Sequence, residues 1–341
     1  MILKKNNSLK KFNTLSVDVK AKKIIIIKDI KKLLINYKIC KKKKLPYLII
    51  GEGSNILFLK NYIGIIFINR IRGINIIEKK KHWILHVNSG EKWNELVKYT
   101  LKIGIFGLEN LALIPGLVGS APINNIGAYG LEFKDICSYI DLMFLKTKKI
   151  KRIYKKFCYF GYRHSIFKTN KFKDYVIISV GIKLYKKWKP INEYNGLNIL
   201  NNKKLTPHKI YNKICSIRKK KIPNPKNIAN AGSFFKNPII NYKKFKILIK
   251  KNKNLHFYIQ KNGDIKIYAG WLIEKCNLKG TIIGGAQIHN KQALIIINKN
   301  NATPNDIISL ARKIRNNVAK KFNIWLEPEV RLYGSKNEKN I

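Results

Sequence analysis

Short apolar runs and helical stripes follow one another along the chain. Ala21–Ile27 is rich in β-branched residues and predicts a strand, and Asp29–Tyr37 predicts a helix. Further strands are predicted at Leu45–Ile50, Ile56–Leu59, Ile63–Asn69 and Ile74–Glu78, and Trp83–Val87 alternates with period two. In Lys92–Lys102 the apolar positions Trp93, Leu96, Val97 and Leu101 have helical spacing. Tyr139–Leu145 and Val176–Lys183 return to strand patterning, and Ile239–Lys250 reads as an amphipathic helix. Thr303-Pro304-Asn305-Asp306 opens a helix, with Thr as N-cap, Pro in the first turn and Asp near the positive end of the dipole. Ile324–Leu332 predicts a last strand, with Glu327, Glu329 and Arg331 on one face and Leu326, Val330 and Leu332 on the other. Strands and helices mix without a regular βαβ alternation, so the expected class is α+β.

Length and charge narrow this picture. A chain of 341 residues suggests about two domains, with a composition boundary near Ile222–Pro225. The formal charge is +52, from 70 basic and 18 acidic residues. Lysine runs such as Lys41–Lys44 and Lys219–Lys221 are spread along the chain, and Ile and Asn are over-used as well. This pattern fits drift towards AT-rich codons better than a nucleic-acid interface, and no helix-turn-helix, zinc-finger or RNP pattern accompanies it. No run reaches the ~20 apolar residues of a membrane span, and the basic start lacks a signal-peptide core. Five widely spaced cysteines without a CxxC pair suggest a reduced, cytoplasmic protein. The six histidines form no metal-ligand spacing, so no metal is expected.

Five motifs carry candidate chemistry. Gly51-Glu52-Gly53-Ser54-Asn55 follows an apolar strand, and its two glycines allow amides to approach a diphosphate. It lacks the third glycine and the following helix of a dinucleotide fingerprint. Gly104–Gly130 is long, apolar and glycine-rich, and it offers the same chemistry on a larger scale. Pro115 and Pro122 stiffen it, and Asn124 and Asn125 supply amide groups. Tyr162-Arg163 sets a guanidinium beside a ring, a pairing suited to gripping a carboxylate. Ser233 stands on an aromatic-flanked turn, outside any GxSxG elbow. Glu327 and Glu329 stand out in so basic a chain. Taken singly, each motif also reads as an ordinary turn, surface cation or salt-bridge ladder.

Together, GEGSN, LENLALIPGLVGSAPINNIGAYG, FGYRHSIFK, NAGSFFKNP, AGWLIEKCNLKG and WLEPEVR resemble, in order and nearly end to end, the UDP-N-acetylenolpyruvoylglucosamine reductase (MurB) family, type I. The resemblance implies a two-subdomain FAD-binding domain of the vanillyl-alcohol-oxidase type and a C-terminal α+β substrate-binding domain. The corresponding ranges are 1–70 and 71–221 for the subdomains, 222–334 for the substrate domain and 335–341 for a disordered tail. FAD would be held noncovalently by Gly51, Glu52, Gly53, Ser54 and Asn55, and by Pro115, Gly116, Gly119, Ser120, Ala121, Asn125 and Gly127. NADPH would be the reductant, and the substrate a UDP-sugar bearing an enolpyruvyl group. By resemblance, Ser233 donates a proton to C2, while Arg163 and Glu329 attend the enolpyruvyl carboxylate. Glu329, beside a developing dianion, is expected to hold a proton or a water. Tyr162, Tyr194, Arg218, Lys221 and Asn237 match substrate-binding positions, with Tyr194 on a loop that folds over substrate. His164 departs from the small acidic residue expected there. A cytoplasmic monomer of peptidoglycan precursor synthesis is implied, with no specific nucleic-acid partner and no membrane insertion. Two rivals are an oxidase of the same flavoprotein superfamily and a basic nucleic-acid-binding protein.

Overall fold

In a computed structural model, described over residues 7–169, 174–192, 205–260 and 262–340, the chain forms two compact units. One comprises 23–52 and 64–220; the other gathers the start of the chain to residue 22, 53–63 and everything from 221 onward. The last change of unit falls between Lys220 and Lys221. On the N-terminal side, residues 7–22 and 53–63 group with the C-terminal segment and not with the rest of the first seventy.

The unit 23–52/64–220 is built on an antiparallel five-stranded sheet, ordered Ile150–Tyr154, Cys137–Phe144, Tyr175–Tyr185, His82–Asn88, Ile74–Glu78. Its two faces bury different cores. Ile140, Leu142, Val180 and Ile182 pack with Trp93, Leu96 and Val97 of the helix Trp93–Lys102. Met143, Val176 and Ile178 pack with Leu33, Tyr37 and Cys40 of the helix Ile30–Lys42. Strand side chains alternate between faces, yet Ile177 and Val180 share a core. A register shift between Ile177 and Ser179 inserts the odd residue that makes this possible. Mainly in this unit, a three-stranded sheet is ordered Ala21–Ile27, Tyr62–Asn69, Tyr47–Ile50, with the last pair parallel.

The second unit carries a four-stranded antiparallel sheet, ordered Ala229–Ser233, Ile295–Asn298, Ala286–Ile288, Ile282–Ile283. The helix Pro304–Phe322 buries Ile307, Leu310, Ala311, Ile314 and Val318 at helical spacing. Thr303 is the expected N-cap, and it is half of a capping box: Asp306 N–H donates to Thr303 Oγ1 at 3.2 Å, and Thr303 N–H to Asp306 Oδ2 at 2.9 Å. A further sheet pairs Ile56–Phe58 in parallel with Arg331–Tyr333.

Three expectations need correction. Ile239 does not begin a helix: Ile239–Ile240 is a short strand, and Asn241 caps a helix over Tyr242–Lys251 by accepting from Lys244 N–H. The last predicted strand is regular only over Arg331–Tyr333; ahead of it, Pro328 makes an isolated antiparallel bridge with Phe235. The tail is not disordered over its described residues: Glu338–Lys339 pairs with Leu332–Tyr333, and Glu338 accepts two hydrogen bonds from the Arg331 guanidinium, at 2.9 and 2.5 Å.

Candidate active site

The parallel strand Tyr47–Ile50 runs out into Gly51–Asn55, and the chain passes from one unit to the other at Glu52–Gly53. Gly53 has φ +60°, and a Cβ there would stand 2.1 Å from the Phe12 carbonyl oxygen, so only glycine fits. Among the described residues, the N–H groups of Gly51, Glu52, Gly53 and Ser54 have no protein acceptor. Four consecutive unspent donors are a ready ligand for phosphate oxygens.

The second glycine-rich stretch, 104–130, is built in the opposite way. Gly116 N–H donates to Glu52 Oε2 at 3.1 Å. Val118 N–H donates to Glu91 O at 2.8 Å and Gly119 N–H to Ser89 O at 3.0 Å. Ser120 and Ala121 close a 3₁₀ turn onto Leu117 and Val118. Leu117 N–H meets Ser120 Oγ, which itself donates to Leu117 O at 2.7 Å. The amides expected to cradle a ligand at Gly116, Gly119, Ser120 and Ala121 are therefore engaged within the loop and its neighbours. Asn125 is likewise committed: Nδ2 donates to Glu132 Oε2 and Gly161 O, both at 3.0 Å, and Oδ1 accepts from Lys134 N–H at 2.8 Å. Beside it, Asn124 Oδ1 is a buried acceptor with no donor among the described residues. Buried acceptors cost free energy unless paired. Free amides in the turn and an open acceptor in the loop fit a flavin nucleotide, which brings phosphate oxygens and a ring N–H.

That loop also positions Arg163. Gly161 and His164 exchange backbone hydrogen bonds at 3.0 and 3.2 Å, leaving Tyr162 and Arg163 at the tip of a two-residue turn. Asn125 holds Gly161 O, and Ser165 Oγ donates to Ile123 O at 2.8 Å. Arg163 takes φ +51°, and its Nη2 lies 3.5 Å from Gly127 O. The GAYG segment is itself a tight hairpin, Gly127–Ala128 against Leu131–Glu132, with Tyr129 and Gly130 both at positive φ. Arg218, on the helix Pro207–Lys221, donates to Leu113 O at 3.3 Å and also engages the Tyr129 hydroxyl. Burial lowers the Arg218 pKa, the Tyr129 hydroxyl opposes this, and the Arg163 charge adds to the lowering. Burial also raises the Tyr129 pKa, against the pull of Arg218. Two guanidinium groups close enough to repel each other suit an anionic ligand. Tyr129 belongs to a motif the sequence reading quoted without assigning it a role. Gly130 is the one residue there that signals the turn, since Tyr129 takes a positive φ that a bulky side chain disfavours.

In the other unit, Ser233 and Glu329 lie on adjoining segments. Gly232 has φ +71°, and the pairing of Ala229–Ser233 shifts register between Asn230 and Ser233. This bulge re-aims Ser233 relative to a regular strand. Asn230 is buried and fixes the turn, with Oδ1 accepting Gly232 N–H at 2.8 Å and Nδ2 donating to Pro223 O and Ile228 O. Phe234 and Phe235 are fully buried, their ring centroids 5.1 Å apart, and they anchor the segment. Glu329 N–H donates to Phe234 O at 2.8 Å, and Lys236 N–H to Glu327 O at 2.9 Å. Asn55 Nδ2 donates to Glu329 O at 3.1 Å, so its side chain is used here.

The remaining candidates are more scattered. Lys221 is an exposed residue at the end of its helix. Asn237 Oδ1 accepts Ala269 N–H at 2.9 Å, and His164 is exposed. Tyr194 lies outside the described residues. Among the described residues no three His, Cys, Asp or Glu side chains form a metal cluster, and no helix is long and apolar enough to cross a membrane.

The four free amides of the glycine turn and the α+β architecture around it suit a phosphate-bearing cofactor. A family model described as an FAD binding domain matches residues 21–153, and one described as the UDP-N-acetylenolpyruvoylglucosamine reductase C-terminal domain matches 224–333. The reductase of Buchnera aphidicola subsp. Acyrthosiphon pisum is 57% identical over 97% of this chain and 92% of its own length. That of Escherichia coli K12 is 47% identical over 98% and 97%. The crystal structure of the Thermus caldophilus enzyme shares the fold, with TM-score 0.64 and 22% identity over 96% of this chain and 97% of that one. The chain belongs to the UDP-N-acetylenolpyruvoylglucosamine reductase family, and it is an FAD-dependent oxidoreductase.

Proposed function

We propose that the protein reduces the enolpyruvyl group of UDP-N-acetylglucosamine-enolpyruvate with NADPH, giving UDP-N-acetylmuramate for peptidoglycan precursor synthesis in the cytoplasm, as a monomer. FAD, when bound, would supply the hydride chemistry; the free amides of Gly51–Ser54 would hold its diphosphate, and Asn124 Oδ1 would offer it an acceptor.

The chain's own residues do the rest. Hydride arriving at C3 leaves negative charge on C2 and the adjoining carboxylate. Arg163 stabilises that charge with donors fixed in advance by the Gly161–His164 turn, which is worth far more than the same contact made in water. Ser233 delivers the proton to C2 from a bulge that fixes its direction. Glu329 sits at the carboxylate and orders the proton donor's surroundings. Arg218, with Tyr162, Tyr194, Lys221 and Asn237, takes the sugar nucleotide, and a cation suits its diphosphate.

The observation that carries this reading is the Glu329 N–H to Phe234 O hydrogen bond of 2.8 Å, which ties the carboxylate segment to the one bearing Ser233. An anaerobic titration tests it. NADPH should bleach the flavin, and the enolpyruvyl sugar should promptly restore its absorbance. Bleaching without recovery would mean a flavin reductase with a different acceptor.

A further inference from the structure

We propose that Asn55, at the end of the glycine turn, is a positioning residue for the substrate half of the reaction: its side chain fixes Glu329 and leaves flavin binding to the preceding amides. The inference rests on the roles proposed above for Glu329 and Ser233.

Asn55 immediately precedes Ile56–Phe58, the strand that pairs in parallel with Arg331–Tyr333. Arg331 N–H donates to Asn55 O at 3.1 Å, which is the last main-chain rung of that ladder. Beyond it the chain turns to another partner, Pro328 bridging Phe235, so this main-chain ladder goes no further. The Asn55 amide adds one more rung by donating to Glu329 O at 3.1 Å. The main chain of Glu329 is thus held from both sides. Its N–H reaches Phe234, next to Ser233, and its carbonyl is held by the turn. A second strut runs the same way: Thr14 N–H donates to Gly53 O at 3.1 Å, and Asn230 N–H to Thr14 O at 2.9 Å. The segments bearing the proton donor and the carboxylate are therefore both hung on the turn. Removing the Asn55 amide leaves the Glu329 carbonyl without that donor and frees the peptide to rotate. A misplacement of about 1 Å at a reacting group costs on the order of a hundredfold in rate.

The test separates the two half-reactions in flavin-loaded protein by anaerobic stopped flow. Asn55→Leu keeps the approximate size and removes the donor without adding charge beside the turn. We expect FAD affinity and flavin reduction by NADPH to stay within about threefold, while reoxidation by the enolpyruvyl sugar slows by about thirtyfold or more. Asn55→Ser, which retains a short donor, should recover part of that loss and also serves if the Leu variant does not fold. Unchanged reoxidation in both variants overturns the inference, as does a parallel fall in flavin affinity and NADPH reduction. If the unsubstituted protein is bleached by NADPH but not reoxidised by the sugar, the proposed function itself fails; normal turnover there with normal variants removes Asn55 alone.

Discussion

The turn Gly51–Ser54 and the loop 115–121 are both glycine-rich, both follow apolar segments, and both read as phosphate cradles. Their amides meet opposite fates. In the turn four successive N–H groups remain unspent, whereas in the loop those from Gly116 to Ala121 all find protein acceptors. Glycine in the turn keeps the backbone open at a position where a side chain would strike the Phe12 carbonyl. Glycine in the loop allows close packing: a Cβ at Gly119 would lie 2.4 Å from Ser89 Cβ. A glycine-rich sequence thus announces close approach, without saying whether a ligand or the protein itself makes it.

The largest expected effect tests this contrast directly. Gly53→Ala adds left-handed strain and a backbone clash, worth about 3 kcal/mol together, and should abolish flavin retention on gel filtration. Gly119→Ala should cost about 1–3 kcal/mol by overpacking yet keep flavin affinity nearly intact once folded. Thermal denaturation with and without added FAD distinguishes the two; equal losses of affinity would erase the comparison.

A smaller effect is expected at Glu52, whose carboxylate links turn and loop through Gly116 N–H at 3.1 Å and Lys92 Nζ at 3.4 Å. Glu52→Gln weakens a charge-assisted bond and should lower stability by about 1 kcal/mol. It also removes a negative charge beside the diphosphate site, so FAD should bind more tightly in a fluorescence-quenching titration. Weaker binding would show that the carboxylate itself assists the cofactor.

Much of this architecture is legible in the sequence. Helical spacing and the Thr303 cap locate the helix Pro304–Phe322, and β-branched runs locate the sheets. The buried-and-exposed alternation of Leu326, Glu327, Val330 and Arg331 survives even where the backbone is not a strand. Hydrogen-bond destinations are not legible. Nothing local distinguishes Asn124, with its open acceptor, from Asn125, whose amide is saturated by Glu132, Gly161 and Lys134. Asn55 reads as part of a phosphate turn, but its partner lies 274 residues further along the chain. The tail reads as polar and short, and the Arg331–Glu338 pair that orders it needs the strand register to be known first. Side-chain chemistry is local information, whereas its partners are a property of the assembled fold.

The φ of +51° at Arg163 has a consequence for how this protein can change. An L-residue with a long side chain is disfavoured there by roughly 1–2 kcal/mol, a burden that glycine would shed and asparagine would lighten. On the role proposed above for Arg163, heat resistance and turnover select different residues at this one position. In a library carried through thermal selection in cells that already possess a working copy of the enzyme, glycine and asparagine should displace arginine at 163; under selection for growth on this copy alone, arginine should return.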